Sequence, residues 1–260
     1  MKIIKCLYAK NKWMTALGVI NLGFAFLFGI LAIFNQEVIT GLNSMIKPMK
    51  FSLSIGLYGI TMAVLLQYVN NQKLVRNYSI AGFIAMMYEQ FAIILQAFRG
   101  EKSHFNYDYP VGRILYVLMG VAITLITLYG LYLTVIFIRQ KTYAIPPAFA
   151  LSIKIGLVLF VLFSFFGWTL SAFNQHSYGG ADGGAGLPFL NWSTVHGDLR
   201  VGHFFGMHSL QVTPIFGYFI SKKSSVNSPK TYIWVFSIAY FIFISFTIWQ
   251  ALNGQPFIAL

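Results

Sequence analysis

Acidic residues and cysteine are the two things that this sequence has least of. It contains six Asp and Glu against 18 Lys and Arg, and a single cysteine, Cys6. One cysteine excludes an intramolecular disulfide, so the redox compartment cannot be inferred from it. Charged residues make up only 9% of the chain, whereas 57% is hydrophobic and 18% is aromatic. This composition is typical of an integral membrane protein.

The net charge of +12 does not indicate a nucleic-acid partner. The basic residues are scattered at the ends of apolar runs, and they form no patch or nucleic-acid-binding motif. Lys and Arg in these places are what membrane topology requires. We therefore expect the lipid bilayer, and no nucleic acid, as a partner.

Seven apolar runs are long enough to cross the ~30 Å hydrocarbon layer as helices, which lipid favours because it cannot satisfy exposed backbone groups. The first run is too long for the core of a signal peptide and has no cleavage site after it, which predicts an uncleaved span. The predicted spans are residues 14–34, 51–69, 79–98, 114–138, 151–173, 201–220 and 232–252. The expected fold is an all-α integral membrane protein, with one domain over residues 1–260 that forms a bundle of seven transmembrane helices. No internal repeat is strong enough to be claimed.

The distribution of Lys and Arg predicts the orientation. The N-terminal stretch and the second, fourth and sixth loops hold eleven of them, and the opposite side holds six, with Lys154 set aside near the start of a span. Basic residues are enriched on the cytoplasmic side. We expect a multi-pass protein of the cell (inner) membrane, with a cytoplasmic N-terminus and an extracytoplasmic C-terminus. The connection at residues 35–50 and the glycine-rich loop at residues 174–200 then lie outside.

Polar and ionisable residues concentrate at the sixth span. His203 and His208 lie within it, and a regular helix separates them by about 140°, so one unbroken helix cannot turn both toward one metal ion. We expect unequal roles, in which His203 lines a pocket and His208, on one face with Gln211, makes an interhelical hydrogen bond or contacts Glu89. Asp198, at the start of this span, is expected to be the helix N-cap.

Glu89 is the only carboxylate inside a predicted span. An unpaired carboxylate in hydrocarbon is costly, so we expect it to be protonated or paired with a polar group of another span, with His203, His208 or Arg99 as candidates. The predicted topology places further polar residues toward the same outward-opening pocket. The candidate ligand-binding residues are Arg99, His104, His196, Asp198, Arg200, His208, Gln211, Lys47 and Lys50.

Three segments carry a resemblance to a known family: SHFN at 103–106, NWSTVHGDLRVGHFFGMHSLQ at 191–211 and WQALNGQPF at 249–257. In these segments the chain resembles an uncharacterised family of bacterial polytopic, seven-span membrane proteins. The run GDLRxxHFxGxHxLQ is the specific part. The resemblance implies a bacterial origin and transfers no activity.

Three functional hypotheses stay open, and the sequence does not decide whether the chain is an enzyme. In the leading one the outward pocket binds a transition metal or haem through histidine, with redox or metal-dependent chemistry. Its candidate metal ligands are His203, His208 and Glu89, with Glu89 and His203 as catalytic residues, and basic residues at the mouth bind a small anionic or metal-containing ligand. The second is a proton-coupled small-molecule transporter that uses Glu89 and a histidine of the sixth span. The third is a membrane sensor or assembly factor.

Overall fold

The structure is a computed structural model that describes residues 2–223 and 227–260. Part of the predicted loop between the sixth and seventh spans, residues 224–226, lies outside the described residues. The described part contains eight α-helices and two short antiparallel hairpins. The helices are α1 (Lys2–Lys10), α2 (Lys12–Phe34), α3 (Ile46–Leu65), α4 (Gln72–Phe98), α5 (Pro110–Arg139), α6 (Pro147–Phe173), α7 (Leu199–Lys222) and α8 (Pro229–Leu252). The strands are β1 (Val38–Ile39), β2 (Leu42–Asn43), β3 (Ser177–Tyr178) and β4 (Gly197–Asp198).

In the described part of the chain, six helices are long and apolar enough to cross a membrane, namely α2, α3 with the short turn that follows it, α4, α5, α6 and α8. This is the architecture of a multi-pass membrane protein. The predicted sixth span is also a helix, α7. Its histidines and other polar residues lower its hydropathy, so it is not one of these six helices.

The helices are longer than the apolar runs that predicted them, because polar caps lie outside the runs. The predicted span 79–98 belongs to a helix that begins at Gln72, where the Asn71 side chain accepts a hydrogen bond from the Leu74 N–H. The predicted connection at 35–50 holds the first hairpin and the start of α3. Pro48 fits there because the first turn of a helix has no intrahelical use for its N–H.

The chain divides into two compact units, and the division falls within α5, between Tyr129 and Gly130. The single-domain expectation stays a prediction. In the first unit α3 packs most extensively on α2, and α4 packs on both. A Cβ at Gly59 would lie 2.7 Å from the backbone nitrogen of Gly18, so the two helices cross at backbone contact. Polar pairs between helices include Tyr58 and Tyr78, whose hydroxyl oxygens are 2.7 Å apart.

The second unit repeats this arrangement with α6, α7 and α8. Here α7 packs most extensively on α6, and α8 packs on both. A Cβ at Gly156 would lie 2.5 Å from Thr213 Oγ1 and 3.0 Å from the carbonyl oxygen of Ser209, so α6 and α7 also cross closely at a glycine. The Ser209 and Thr213 hydroxyls donate hydrogen bonds to backbone carbonyls of α6.

The hairpins show that the two units follow one plan. Phe-Asn-Gln occurs at the end of α2 (34–36) and again at the end of α6 (173–175), followed in each case by one residue and then a two-residue strand. Val38 pairs with Asn43 in the first hairpin, as Ser177 pairs with Asp198 in the second. The Asn43 side chain accepts the N–H two residues later, at 3.0 Å, and Asp198 does the same at 3.0 Å.

The ends of α4 and α8 also share a short sequence and the hydrogen bond that it makes. The sequences are QAFRG at 96–100 and QALNG at 250–254, and each glycine has a positive φ, 69° and 72°. The Gln96 side-chain amide donates to the carbonyl oxygen of Lys102 at 3.3 Å, and the Gln250 amide donates to that of Pro256 at 2.7 Å. The chain therefore contains an internal repeat, which the sequence analysis missed. The shared signals are a few residues long, and the apolar helices between them share little beyond composition.

Candidate functional site

A polar cavity of about 400 Å³ lies among residues 177–200 of the second unit. The segment that forms it connects β3 to β4 and folds back as a small hairpin, in which Gly186 pairs with Ser193 and the Thr194 N–H donates to the Ala185 carbonyl. Polar side chains and exposed glycine backbone face the space. Its lining residues are Ser177, Ala181, Asp182, Gly183, Gly184, Ala185, Asn191, Ser193, Val195, His196 and Arg200.

Asp182 fixes the glycine-rich part of this segment to β3. Its carboxylate accepts the backbone N–H groups of His176 and Ser177, and it lies 2.8 Å from His176 Nδ1. Burial alone would raise the pKa of the Asp182 carboxyl, but the hydrogen bonds and the charge of His176, with the backbone N–H groups, hold it well below its ordinary value. Asp182 is therefore an ionised anchor of the cavity wall.

Asp198 is the N-cap of α7, as expected from its place before the apolar run. Its buried carboxylate accepts the Arg200 backbone N–H at 3.0 Å and forms a two-pronged pair with the Arg200 guanidinium, whose Nη2 also donates to the Asn191 carbonyl. The Ser193 N–H donates to the same carboxylate at 2.9 Å. Because Asp198 offsets its charge, Arg200 presents to the cavity a fixed hydrogen-bond donor and little net charge.

His196 forms another part of the cavity wall. Its backbone N–H donates to Ser193 Oγ at 2.9 Å, and its ring lies against Gly180, where any Cβ would overlap it. Within the described residues no hydrogen bond to the ring is found. Of the candidate residues named from sequence, the structure brings together His196, Asp198 and Arg200.

His203 and His208 lie on different faces of α7, which is helical through Pro214 without a break. His203 Nδ1 is 3.0 Å from the Phe163 carbonyl oxygen on α6. A carbonyl only accepts, so Nδ1 carries the proton and donates. His208 Nδ1 is 3.2 Å from Gln211 Oε1 within the same helix, and its ring packs on Phe204 with centroids 4.3 Å apart.

The interhelical hydrogen bond expected at His208 is therefore made by His203. The reason is the helix crossing: the face of α7 that bears His203 packs on α6 at Gly167, which leaves room for the imidazole ring. His208 faces away from this contact and pairs locally with Gln211, as their spacing predicts.

Glu89 lies on the packed face of α4 with 7% of its surface exposed. Its Oε1 is buried and has no hydrogen-bond partner among residues 2–223 and 227–260. Glu89 belongs to the first unit and His203 and His208 to the second, so the predicted pairing between them stays a prediction.

The other candidates of the first unit lie near the ends of α3 and α4. Arg99 donates two hydrogen bonds to Glu101, which also accepts from the Gln96 and Asn106 amides. These bonds, the one from Arg99 foremost, lower the pKa of Glu101. His104 packs between Phe51 and Tyr116.

Lys47 and Lys50 are half-buried near the start of α3. Their predicted role in binding an anion stays a prediction.

No group of three or more His, Cys, Asp or Glu among residues 2–223 and 227–260 is placed to hold a metal ion. The metal and haem expectation stays a prediction. Of its candidate ligands, Glu89 belongs to the first unit, and His203 and His208 belong to the second.

Sequence reasoning missed the His176–Asp182 pair and the hydrogen bonds of Gln96 and Gln250. It also missed the group of hydrogen bonds that Glu101 accepts. The repeated Gln-Ala-x-x-Gly segment was the signal that could have revealed the two glutamine hydrogen bonds.

No protein-family model matches the chain, and no curated protein or solved structure matches it either. The function is therefore argued from the site and the fold alone.

Proposed function

We propose that the chain is a seven-span membrane carrier that moves a small polar solute and couples this movement to protonation of Glu89. The observation that carries the proposal is the internal repeat: helix, hairpin and two further helices, with the same strand register and the same glutamine hydrogen bond. Carriers are commonly built from repeated helical units. A metal centre or a sensor has no comparable need for two copies of one unit.

The environment of α7 supports a seventh span. Its 24 residues give a length of about 36 Å, enough for a hydrocarbon layer of about 30 Å. The polar side chains of its middle are paired within the unit, since His203, Ser209 and Thr213 all bond backbone carbonyls of α6. Polar groups satisfied in this way are tolerated in a membrane helix.

Seven spans and the eleven-to-six distribution of basic residues favour a cytoplasmic N-terminus and an extracytoplasmic C-terminus. The polar cavity lies on the extracytoplasmic side, where His196 and Arg200 would receive the solute.

Glu89 is the proton-carrying group in this proposal. It is a buried carboxyl on a membrane-length helix, and its Oε1 has no hydrogen-bond partner in the part of the chain that the structure describes. A lone carboxylate in hydrocarbon takes up a proton rather than remain charged. Ionisable residues in such places are typical of proton pathways in transporters.

The alternative, a metal or haem centre, has narrower support. His203 Nδ1 donates to a carbonyl, which leaves Nε2 as the unprotonated nitrogen of a neutral ring, and metal-bound histidines commonly show this arrangement. The described residues place no group of three or more His, Cys, Asp or Glu around it. Metal and haem analysis of the purified protein tests this alternative directly.

The carrier proposal is tested with purified protein in liposomes that enclose a pH-sensitive dye. Neutral amino acids, small carboxylates and monosaccharides are added outside, and internal acidification is followed. Glu89→Gln, which mimics the protonated acid, should keep solute counterflow and lose the solute-driven pH change. Glu101→Gln removes a carboxylate from a loop of the same unit and should keep both.

Unchanged acidification in Glu89→Gln would refute the role of Glu89. Stoichiometric metal or haem in the wild type, together with no movement of any solute class, would refute the carrier.

A further inference from the structure

The N-terminal helix α1 has an apolar face that the protein does not cover. Ile3, Ile4, Leu7 and Tyr8 fall within about 140° of the helix circumference, and the opposite arc carries Lys2, Lys5, Cys6, Ala9 and Lys10. No residue of α1 is buried, and Ile3 is 77% exposed. An apolar stripe left open next to a membrane-length helix requires an apolar surface outside the unit.

The position of α1 is fixed at one end of the first unit. A single residue, Asn11, separates it from α2, and the Asn11 side chain both caps α2 and donates to Ser79 Oγ at 2.8 Å. Lys10 Nζ donates to Gln67 Oε1 at 2.6 Å, at the far end of α3. Because α2 is able to cross a membrane and begins at Lys12, α1 lies where that span leaves the bilayer.

The same end of the unit is strongly basic. Residues 2–12 and 70–79 contain Lys2, Lys5, Lys10, Lys12, Lys73 and Arg76, and they contain no Asp or Glu. The carboxylates of the first unit lie elsewhere, in the first hairpin, within α4 and in the segment after α4. Nothing acidic in these segments offsets the six cations.

We propose that α1 is an interfacial helix that binds anionic phospholipids. Its apolar arc enters the boundary between headgroups and acyl chains, and its lysines, with Lys73 and Arg76, contact headgroup phosphates. Short helices with a basic and an apolar arc bind membrane surfaces in this way, and each Lys or Arg adds about fivefold in affinity for an anionic surface. This inference does not depend on the carrier proposal.

The single cysteine allows a direct test in the full-length protein. In a Cys6→Ser background, one cysteine is placed at Ile3, Leu7 or Ala9, and native Cys6 is the fourth position. Each is labelled with a polarity-sensitive fluorophore and reconstituted in nanodiscs of phosphatidylcholine alone or mixed with an equal share of phosphatidylglycerol. Labels at positions 3 and 7 should report an apolar environment in the anionic discs, and labels at 6 and 9 should report water.

In the double variant Lys2→Gln/Lys5→Gln, the labels at positions 3 and 7 should lose most of the difference in emission between the two lipid compositions. The control variant Lys222→Gln/Lys223→Gln, which removes the same charge at the C-terminal end of α7, should keep this difference. Equal emission at all four positions would overturn the proposal, as would insensitivity to both the anionic lipid and the α1 lysines. An apolar environment at positions 3 and 7 that depends on protein concentration in detergent would also overturn it, because a second copy of the chain would then cover the face.

Discussion

The first unit connects its two hairpin strands with Thr40 and Gly41, whereas the second places residues 179–196 at the same point. The strands, their register and the helices on either side are otherwise equivalent. The polar cavity is formed largely by the inserted residues of the second unit. The comparison shows that the three-helix unit is the common scaffold. The segment that forms most of the candidate binding site is present in only one of the two units.

The two units also differ in the polar groups of their helices. In the first, the helix interior holds Glu89, Gln90 and Asn21, each with a buried oxygen that accepts no hydrogen bond from the described residues. In the second, Ser209, Thr213 and His203 bond carbonyls of the neighbouring helix. The first unit also has an interhelical polar pair at Tyr58 and Tyr78, and the second also has buried hydroxyls, at Ser221 and Ser237, without a partner among the described residues. The difference is therefore one of residue type, with a carboxyl and two amides in the first unit and hydroxyls and an imidazole in the second.

The largest expected effect separates the equivalent residues Asp198 and Asn43. Asp198→Ala leaves the largely buried Arg200 guanidinium without its carboxylate, and we expect a loss of about 3 kcal/mol in unfolding free energy. Asn43→Ala removes uncharged hydrogen bonds only, and we expect about 1–2 kcal/mol. Thermal unfolding in detergent measures both. Equal losses would show that the Arg200 pair adds nothing to the second hairpin.

The glycine crossings should respond alike in the two units. A Cβ at Gly59 meets the backbone of α2, and one at Gly156 meets Thr213 and the backbone of α7, so we expect each Gly→Ala change to cost about 1–3 kcal/mol. Gly23→Ala is the control, because among the described residues no atom beyond the adjacent backbone of α2 lies within 4 Å of a Cβ at that position. Melting temperatures of the three variants provide the measurement. A loss in only one unit would mean that the two crossings are not equivalent.

The smallest expected effect is a difference in acid sensitivity. The folded-state pKa of Asp182 is depressed, so its stabilising contribution is complete above the ordinary aspartate pKa of about 3.9 and is lost as the pH falls below that value. We expect Asp182→Asn to melt below the wild type at neutral pH, and the difference to shrink on acidification below about pH 4. Glu101→Gln should show the same sign with a smaller amplitude, because its partner Arg99 is exposed to solvent. A melting-temperature difference that does not change with pH would contradict the anchoring role of Asp182.

The sequence predicted the helices well because long apolar runs in a membrane protein have few alternatives. It also predicted the Asp198 N-cap and the separation of His203 from His208, since both depend on local helix geometry. Of the two contacts predicted for His208, the interhelical hydrogen bond is made by His203 instead, and the contact with Glu89 stays a prediction. Which face of α7 meets α6 depends on where glycines allow close approach, and that is a property of two helices together.

The segment that forms the polar cavity was predicted only as a glycine-rich loop on the extracytoplasmic side. Its shape depends on Asp182 reaching back to β3 and on Asn191 and Phe189 adopting positive φ. Non-glycine residues seldom adopt that conformation, so composition gave no sign of it. The fold of such a segment is fixed by a few hydrogen bonds between residues far apart in the segment.

The tight turn at Thr40 and Gly41 also marks a place where the protein can be extended. Its counterpart in the second unit shows that the same pair of strands tolerates a long added segment without losing register. An epitope or a small folded tag placed between Thr40 and Gly41 would therefore lie at the end of the first unit that holds the first hairpin. The second hairpin is thus an example, within the same molecule, of how a new surface can be added to the first.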